Sequence, residues 1–273
     1  MYRDYRDAIN SAIKRWGTAH RDIMLGIARV EGEALAVRQY LLSRFAGERV
    51  MLEHALETRL DEALSTGYGA FFGSLDSYGF HVLELLQCMV ERRKGGETGI
   101  AAVQCLEGEA VWQARDEGRW PGELGQAVFE LLEDSKEGSI EVQCHNPAAF
   151  LLEYADGLWA VTLMLDDYTK QWGYACRTDR QTQATRVQLS GPPYAHFSYL
   201  GLNIQELFLT RQAQYPVERT LLVSGALEAL LDSRYRGHVR VPTPHLDVCY
   251  RSYERPPIRP ALPSPQETSL RIT

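Results

Sequence analysis

The sequence predicts an α+β fold. Three observations carry this. Helical runs dominate the first fifty residues, residues 140–189 are rich in strand patterns around one clear hairpin signal, and two further helical stripes follow. Helices and antiparallel strands therefore mix without the regular alternation of a βαβ array.

Tyr5, Ala8, Ile9, Ala12, Ile13 and Trp16 fall on one helical face, and two or three helices are expected before Gly47. The glycine-rich "EALSTGYGAFFGSLDSYG" reads as a strand end and a loop. "FHVLELLQCMVERRKGG" reads as a helix closed by basic residues and by Gly95 and Gly96, glycines being good helix terminators. "GIAAVQCLEG" follows as a strand, and "SIEVQC" alternates like another. In "FLLEYADGLWAVTLML" two strands meet at Asp156-Gly157, where glycine accepts a positive φ. Leu158, Ala160, Thr162 and Met164 face one way on the second strand, and Trp159, Val161, Leu163 and Leu165 the other. Both faces are apolar, so both should be covered, with helices on one side and a second copy of the chain expected on the other.

Phe197, Leu200, Ile204, Leu207 and Phe208 make one helical stripe. Pro216 can open the last helix, which should end at Gly237. Short strands "HVRV" and "LDVCY" are expected to finish the domain. Five prolines fall among residues 255–273, which reads as an extended or disordered arm. The expected organisation is a helical segment at 1–50, the α+β domain at 51–254, and the Pro-rich tail at 255–273.

Composition excludes several functions. The chain of 273 residues carries a net charge of −7, which gives nucleic-acid binding no electrostatic support. Lys14, Lys94, Lys136 and Lys170 are its only lysines, so a catalytic lysine would have to be one of them. The five cysteines are widely spaced with no CxxC, which argues for buried reduced thiols over a disulfide framework or a thiolate zinc site. No apolar run of membrane-spanning length and no signal peptide is visible, so a soluble cytoplasmic protein is expected. No Ser-His-Asp motif, P-loop or zinc-finger spacing is visible.

Residues 57–250 resemble the C-terminal domain of the glucose–fructose oxidoreductase, inositol dehydrogenase and rhizopine-catabolism family. "DSYGFHVLELLQCMVERRKGGETGIAAVQCLEG" looks like the family's G-x-H-x-x-D helix and following strand. "NPAAFLLEYADGLWAVTLML" looks like its central hairpin, and the stretch from "FSYLGLNIQELF" to "VPTPHL" like its two closing helices and final strand. The resemblance implies an open, mostly antiparallel sheet backed by helices, which supplies the substrate-facing wall and a subunit interface. It implies a carbohydrate-like ligand and a homo-oligomer through the sheet face.

The family's NAD- or NADP-binding Rossmann domain has no counterpart here. No G-x-G-x-x-G occurs, since Gly67, Gly69 and Gly73 are spaced differently, and the family's Glu-Lys-Pro motif is missing. The chain is therefore expected to bind no cofactor alone. NAD(P) would enter only with a Rossmann domain supplied by another chain, which is the alternative, enzymatic reading.

Matched to the family helix, His81 takes the place of the catalytic histidine and Glu84 that of the acidic residue. Imidazole suits the removal of a hydroxyl proton near neutral pH. Placed in the first turn of its helix, His81 would be held neutral by the helix dipole. Three readings stay open: a general base, a pocket residue without turnover, and an ordinary buried helix residue. Tyr78 can hydrogen-bond a substrate hydroxyl or plug the domain edge. His196, near a helix start, can approach a substrate or pack against its loop. His81, Glu84 and Cys88 share one helix face, a spacing that metal ligands use and that plain packing also produces. Arg92, Arg93 and Lys94 resemble a phosphate patch, but they are expected to lie in solvent and complement the helix dipole. Asp166-Asp167 should form a turn.

Overall fold

In the computed structural model, the described residues are 59–67, 75–166, 168–179, 181–187, 196–213 and 215–252. The expected helices of residues 1–50, the loop glycines Gly69 and Gly73, Asp167 and the Pro-rich tail lie outside them. The chain divides into two compact units. One comprises Val50–Gln188 and Pro216–Ser252; the other comprises Met1–Arg49, Leu189–Tyr215 and Tyr253–Thr273.

The first unit is built on seven strands: β1 (Leu60–Gly67), β2 (Ile100–Glu107), β3 (Pro147–Tyr154), β4 (Trp159–Leu165), β5 (Trp172–Thr178), β6 (Thr182–Val187) and β7 (Val241–Pro242). Their order across the sheet is β6-β5-β1-β4-β3-β2-β7. Every neighbouring pair is antiparallel except β1 and β4, which run parallel with Leu64 opposite Val161. The sheet is thus open and mostly antiparallel, as expected.

Among the described residues, this unit holds the helices α1 (Leu75–Val90), α2 (Glu109–Asp116), α3 (Gly122–Phe129), the single turn α4 (Ile140–Gln143) and α6 (Val217–Tyr235). Helix α5 (His196–Thr210) belongs to the other unit. No helix among the described residues is long and apolar enough to cross a membrane.

The hairpin β3–β4 turns through Ala155, Asp156 and Gly157. Gly157 has φ +89°, and the N–H of Tyr154 donates to the Leu158 carbonyl. This is the three-residue turn with glycine in the left-handed position. Helix α1 is followed by Gly95 and Gly96, both with positive φ, and α6 by Gly237. Pro216 caps α6.

Both faces of the sheet are covered by the chain itself. Helices α1 and α6 pack on one face. On the other, Val161, Leu163 and Leu165 join Leu64, Leu151 and Ala175 in a core closed by Val111 and Trp112 of α2, Trp120, and Leu124 and Val128 of α3. Val161 is 0% exposed. On this face, where a second copy was expected, the chain's own segment 109–144 folds back; the strand and helix patterns had left residues 109–138 of it unread.

"SIEVQC" is a second correction. Its Ile140 and Val142 do not alternate on a strand. The segment makes one helical turn that buries Ile140 and Cys144, four residues apart, and leaves Val142 in solvent. Among the described residues after α6, where strands over 238–241 and 246–250 were expected, the chain holds the short β7, a 3-10 turn at Pro244–Leu246 and one bridge between Glu97 and Tyr250.

Candidate functional site

The candidate site lies at the N-terminal end of α1, beside the ends of two parallel strands. β1 ends at Gly67, opposite Met164 near the end of β4, and Trp172 opens the adjacent strand β5. A Cβ on Gly67 would stand 3.0 Å from the Trp172 ring and 2.7 Å from Val82. Glycine here lets the indole lie across the strand end. Helix α1 descends onto the sheet at Gly79, where a Cβ would meet the Phe150 ring at 2.7 Å. The glycine of "YGFH" is thus a close-packing glycine, and it fixes the height of the residues beside it.

His81 stands where these two approaches meet. Its ring centroid is 5.8 Å from that of Tyr78, 6.2 Å from Phe80 and 6.4 Å from Trp172, each an edge-on contact. Such distances and angles are the favourable ones for aromatic pairs. Tyr78 and His81 are half-buried, whereas Trp172 is 7% exposed. The indole is thus buried edge-on against the imidazole, while the imidazole and the phenol are each partly exposed. A half-buried imidazole beside a phenol can accept or donate a proton and orient a small polyhydroxylated molecule.

The structure brings Tyr78 and His81 together and adds Trp172, which sequence reasoning missed. The alternation of Trp172, Tyr174 and Cys176 along one strand face was its only signal. His81 is the seventh residue of α1, so the first-turn dipole argument does not apply to it. Glu84 lies one turn deeper and is 2% exposed, so it does not reach the accessible side of His81. His196 opens α5 of the other unit, and its side chain lies outside what is described. No cluster of three metal-ligating groups occurs among the described residues. No disulfide joins the five cysteines, of which Cys249 is exposed and the other four are buried.

The other end of α1 carries a buried polar network that the sequence did not announce. Gln87 is its hub. The Gln87 amide nitrogen donates to Glu97 (2.5 Å) and to the Tyr250 hydroxyl (2.8 Å), and its carbonyl accepts from the Tyr154 hydroxyl (2.8 Å). Arg93 pairs with Glu97 and Asp156 and lies over the Tyr154 ring. Arg219 of α6 forks onto Glu91 at 2.7 and 2.6 Å.

Burial works against the charge on Arg93, but Glu97 and Asp156 outweigh it and hold the guanidinium above its ordinary pKa. Burial also opposes ionisation of Asp156, yet Arg93 keeps its carboxyl below the usual range. Burial, and then the nearby carboxylates, raise the Tyr250 phenol, so it stays a donor to Glu91. Arg92 and Arg93 are therefore buried, not a solvent-facing phosphate patch. The reason is that Glu97 and Asp156 reach Arg93 from the next turn of chain and from the β3–β4 turn. One cue was available: Gln87 and Glu91 are polar residues four apart within an apolar helix.

No family model matches this chain, and no curated protein does. Solved structures similar to it include GenD2 from gentamicin A biosynthesis in complex with NAD, at 14% identity and a TM-score of 0.43, over 76% of this chain and 60% of that one. Another is scyllo-inositol dehydrogenase from Lactobacillus casei with bound NAD(H) and scyllo-inositol, at 12% identity and a TM-score of 0.46, over 76% and 63%. A third is levoglucosan dehydrogenase in complex with NADH and levoglucosan, at 10% identity and a TM-score of 0.46, over 79% and 65%. This chain spans less than two thirds of the length of each of the three.

Proposed function

We propose that this chain is the substrate-binding portion of an oxidoreductase-like protein, that it takes a small cyclic polyol or sugar at the N-terminal end of α1, and that it brings no dinucleotide site of its own. The observation that carries this reading is the His81 imidazole, half-buried, edge-on to Tyr78 and backed by Trp172. The order of family-like phrases around it supports the same reading. His81 acts as the proton acceptor for a bound hydroxyl, and Tyr78 orients it by hydrogen bonding. Hydride transfer would need a nicotinamide held against the substrate, which the cofactor's own domain supplies.

Two titrations test this. Calorimetry and tryptophan fluorescence with scyllo-inositol and levoglucosan as probes should show saturable binding that His81→Ala abolishes and Trp172→Leu weakens. Binding that survives His81→Ala, or no binding of any ring polyol, would remove the reading. Titration with NAD and NADP should give no saturable heat, because dinucleotide sites rest on a glycine turn at a helix N-terminus. A one-to-one isotherm for either would mean that the chain carries a cofactor site after all.

A further inference from the structure

One carboxylate grips the chain beside two of the places where it passes between the compact units. The chain enters the sheet-bearing unit between Tyr215 and Pro216, and leaves it between Ser252 and Tyr253. Arg219 lies one helical turn after the entry, and Ser252 is the last residue before the exit. Both bind Glu91. Its Oε1 accepts from Arg219 Nη2 at 2.6 Å and from the Ser252 hydroxyl at 2.6 Å. Its Oε2 accepts from Arg219 Nε at 2.7 Å and from the Tyr250 hydroxyl at 3.0 Å. Four donors thus converge on one carboxylate, two from the first turn of α6 and two from the final irregular segment. Glu91 is 1% exposed and Arg219 0%.

We infer that Glu91 is a shared anchor that makes these two connections open and close as one. The segment Thr243–Ser252 has little regular structure to hold it. It is tied by the backbone exchange between Glu97 and Tyr250, by Thr243 donating to the carbonyls of Ala101 and Ile100, by the Gln87 amide donating to the Tyr250 hydroxyl, by Leu246 packed against Gly225 of α6, and by the two hydroxyls on Glu91. The first turn of α6 is fixed by the Arg219 fork. If the final segment lifts, Glu91 loses two donors in a dry site and its pair with Arg219 is hydrated. If α6 frays, Glu91 loses its charged partner, and the carboxylate that Ser252 and Tyr250 bond is hydrated. Either opening exposes groups whose desolvation had been offset by the other, which is how a cooperative sub-global unit arises. This coupling does not depend on what His81 does.

Hydrogen exchange of the full chain, read peptide by peptide, tests the inference. Glu91→Gln should speed exchange at residues 219–223 and 248–252 together, by about tenfold or more, and leave β3–β4 nearly unchanged. Acceleration in one segment alone, or an equal acceleration throughout the sheet, would overturn it. Ser252→Ala gives a second reading that does not risk the fold, since it removes one hydroxyl at the chain exit. It should still be felt at residues 219–223, far away in sequence. An effect confined to 248–252 would show that the two connections are independent.

Discussion

The two ends of helix α1 use opposite means to reach the sheet. The N-terminal end is placed by shape. Gly79 lets the helix touch Phe150, Gly67 makes room for Trp172, and three aromatic edges surround a half-buried imidazole. The C-terminal end is placed by charge. Glu91, Arg93, Glu97 and Arg219 are buried as ion pairs and joined through Gln87, Tyr154 and Tyr250. A packed aromatic end can keep an accessible edge because van der Waals contact tolerates a free side. A buried ionic end cannot, since every oxygen left without a donor costs its desolvation. The same helix thus carries a closed end and an open one.

That contrast can be broken by substitution, and the largest effect should come from the ionic end. Arg219→Met leaves the buried Glu91 carboxylate without its charged partner and should lower stability by about 3–5 kcal/mol in urea unfolding, whereas pairing it with Glu91→Gln, which keeps an acceptor for Tyr250 and Ser252, should recover part of the loss. A double variant as unstable as the single one would mean that an uncompensated charge is not the cause.

Gly79→Ala tests the aromatic end. The new methyl must displace Phe150, a fully buried ring, and the expected loss is about 1–3 kcal/mol by the same measurement. His81→Ala should cost less, about 1 kcal/mol, because only edge contacts of a half-buried ring disappear. A loss at His81 matching that at Arg219 would make it an ordinary core residue and erase the difference between the two ends.

The smallest effect is the most specific to charge. The Asp156 carboxyl is held below its ordinary pKa, so its contribution is complete above the unfolded value and fades as pH falls through the folded one. Asp156→Asn should therefore be less stable than the parent at neutral pH, by about 0.5 kcal/mol for so partly exposed a pair, and the gap should close in acid. A gap that stays constant with pH would remove Arg93 as its cause.

The legible parts of this molecule are the ones written in local pattern. Asp156-Gly157 announced the β3–β4 hairpin, because a left-handed turn position needs glycine whatever surrounds it. Gly95, Gly96 and Gly237 marked helix ends for the same reason. The α1 stripe was readable from its period. Tyr78 and His81 were singled out separately, and their spacing of three on one helix is what brings their rings together. The apolar character of both faces of β4 correctly required cover on each side.

What covers those faces was not legible. Helices α2 and α3, and not a second copy, close the Val161 face, because a hydrophobic surface specifies burial and not the identity of the partner. Trp172 reached His81 only through the sheet register that sets β5 beside β1. The Arg219–Glu91 pair joins residues 128 apart in sequence, and Tyr250 and Ser252 come from farther still. Sequence alone determined the secondary structure wherever a turn or a period sufficed. Tertiary structure alone decided which charges could be buried, since a buried charge is stable only where its partners arrive from other elements.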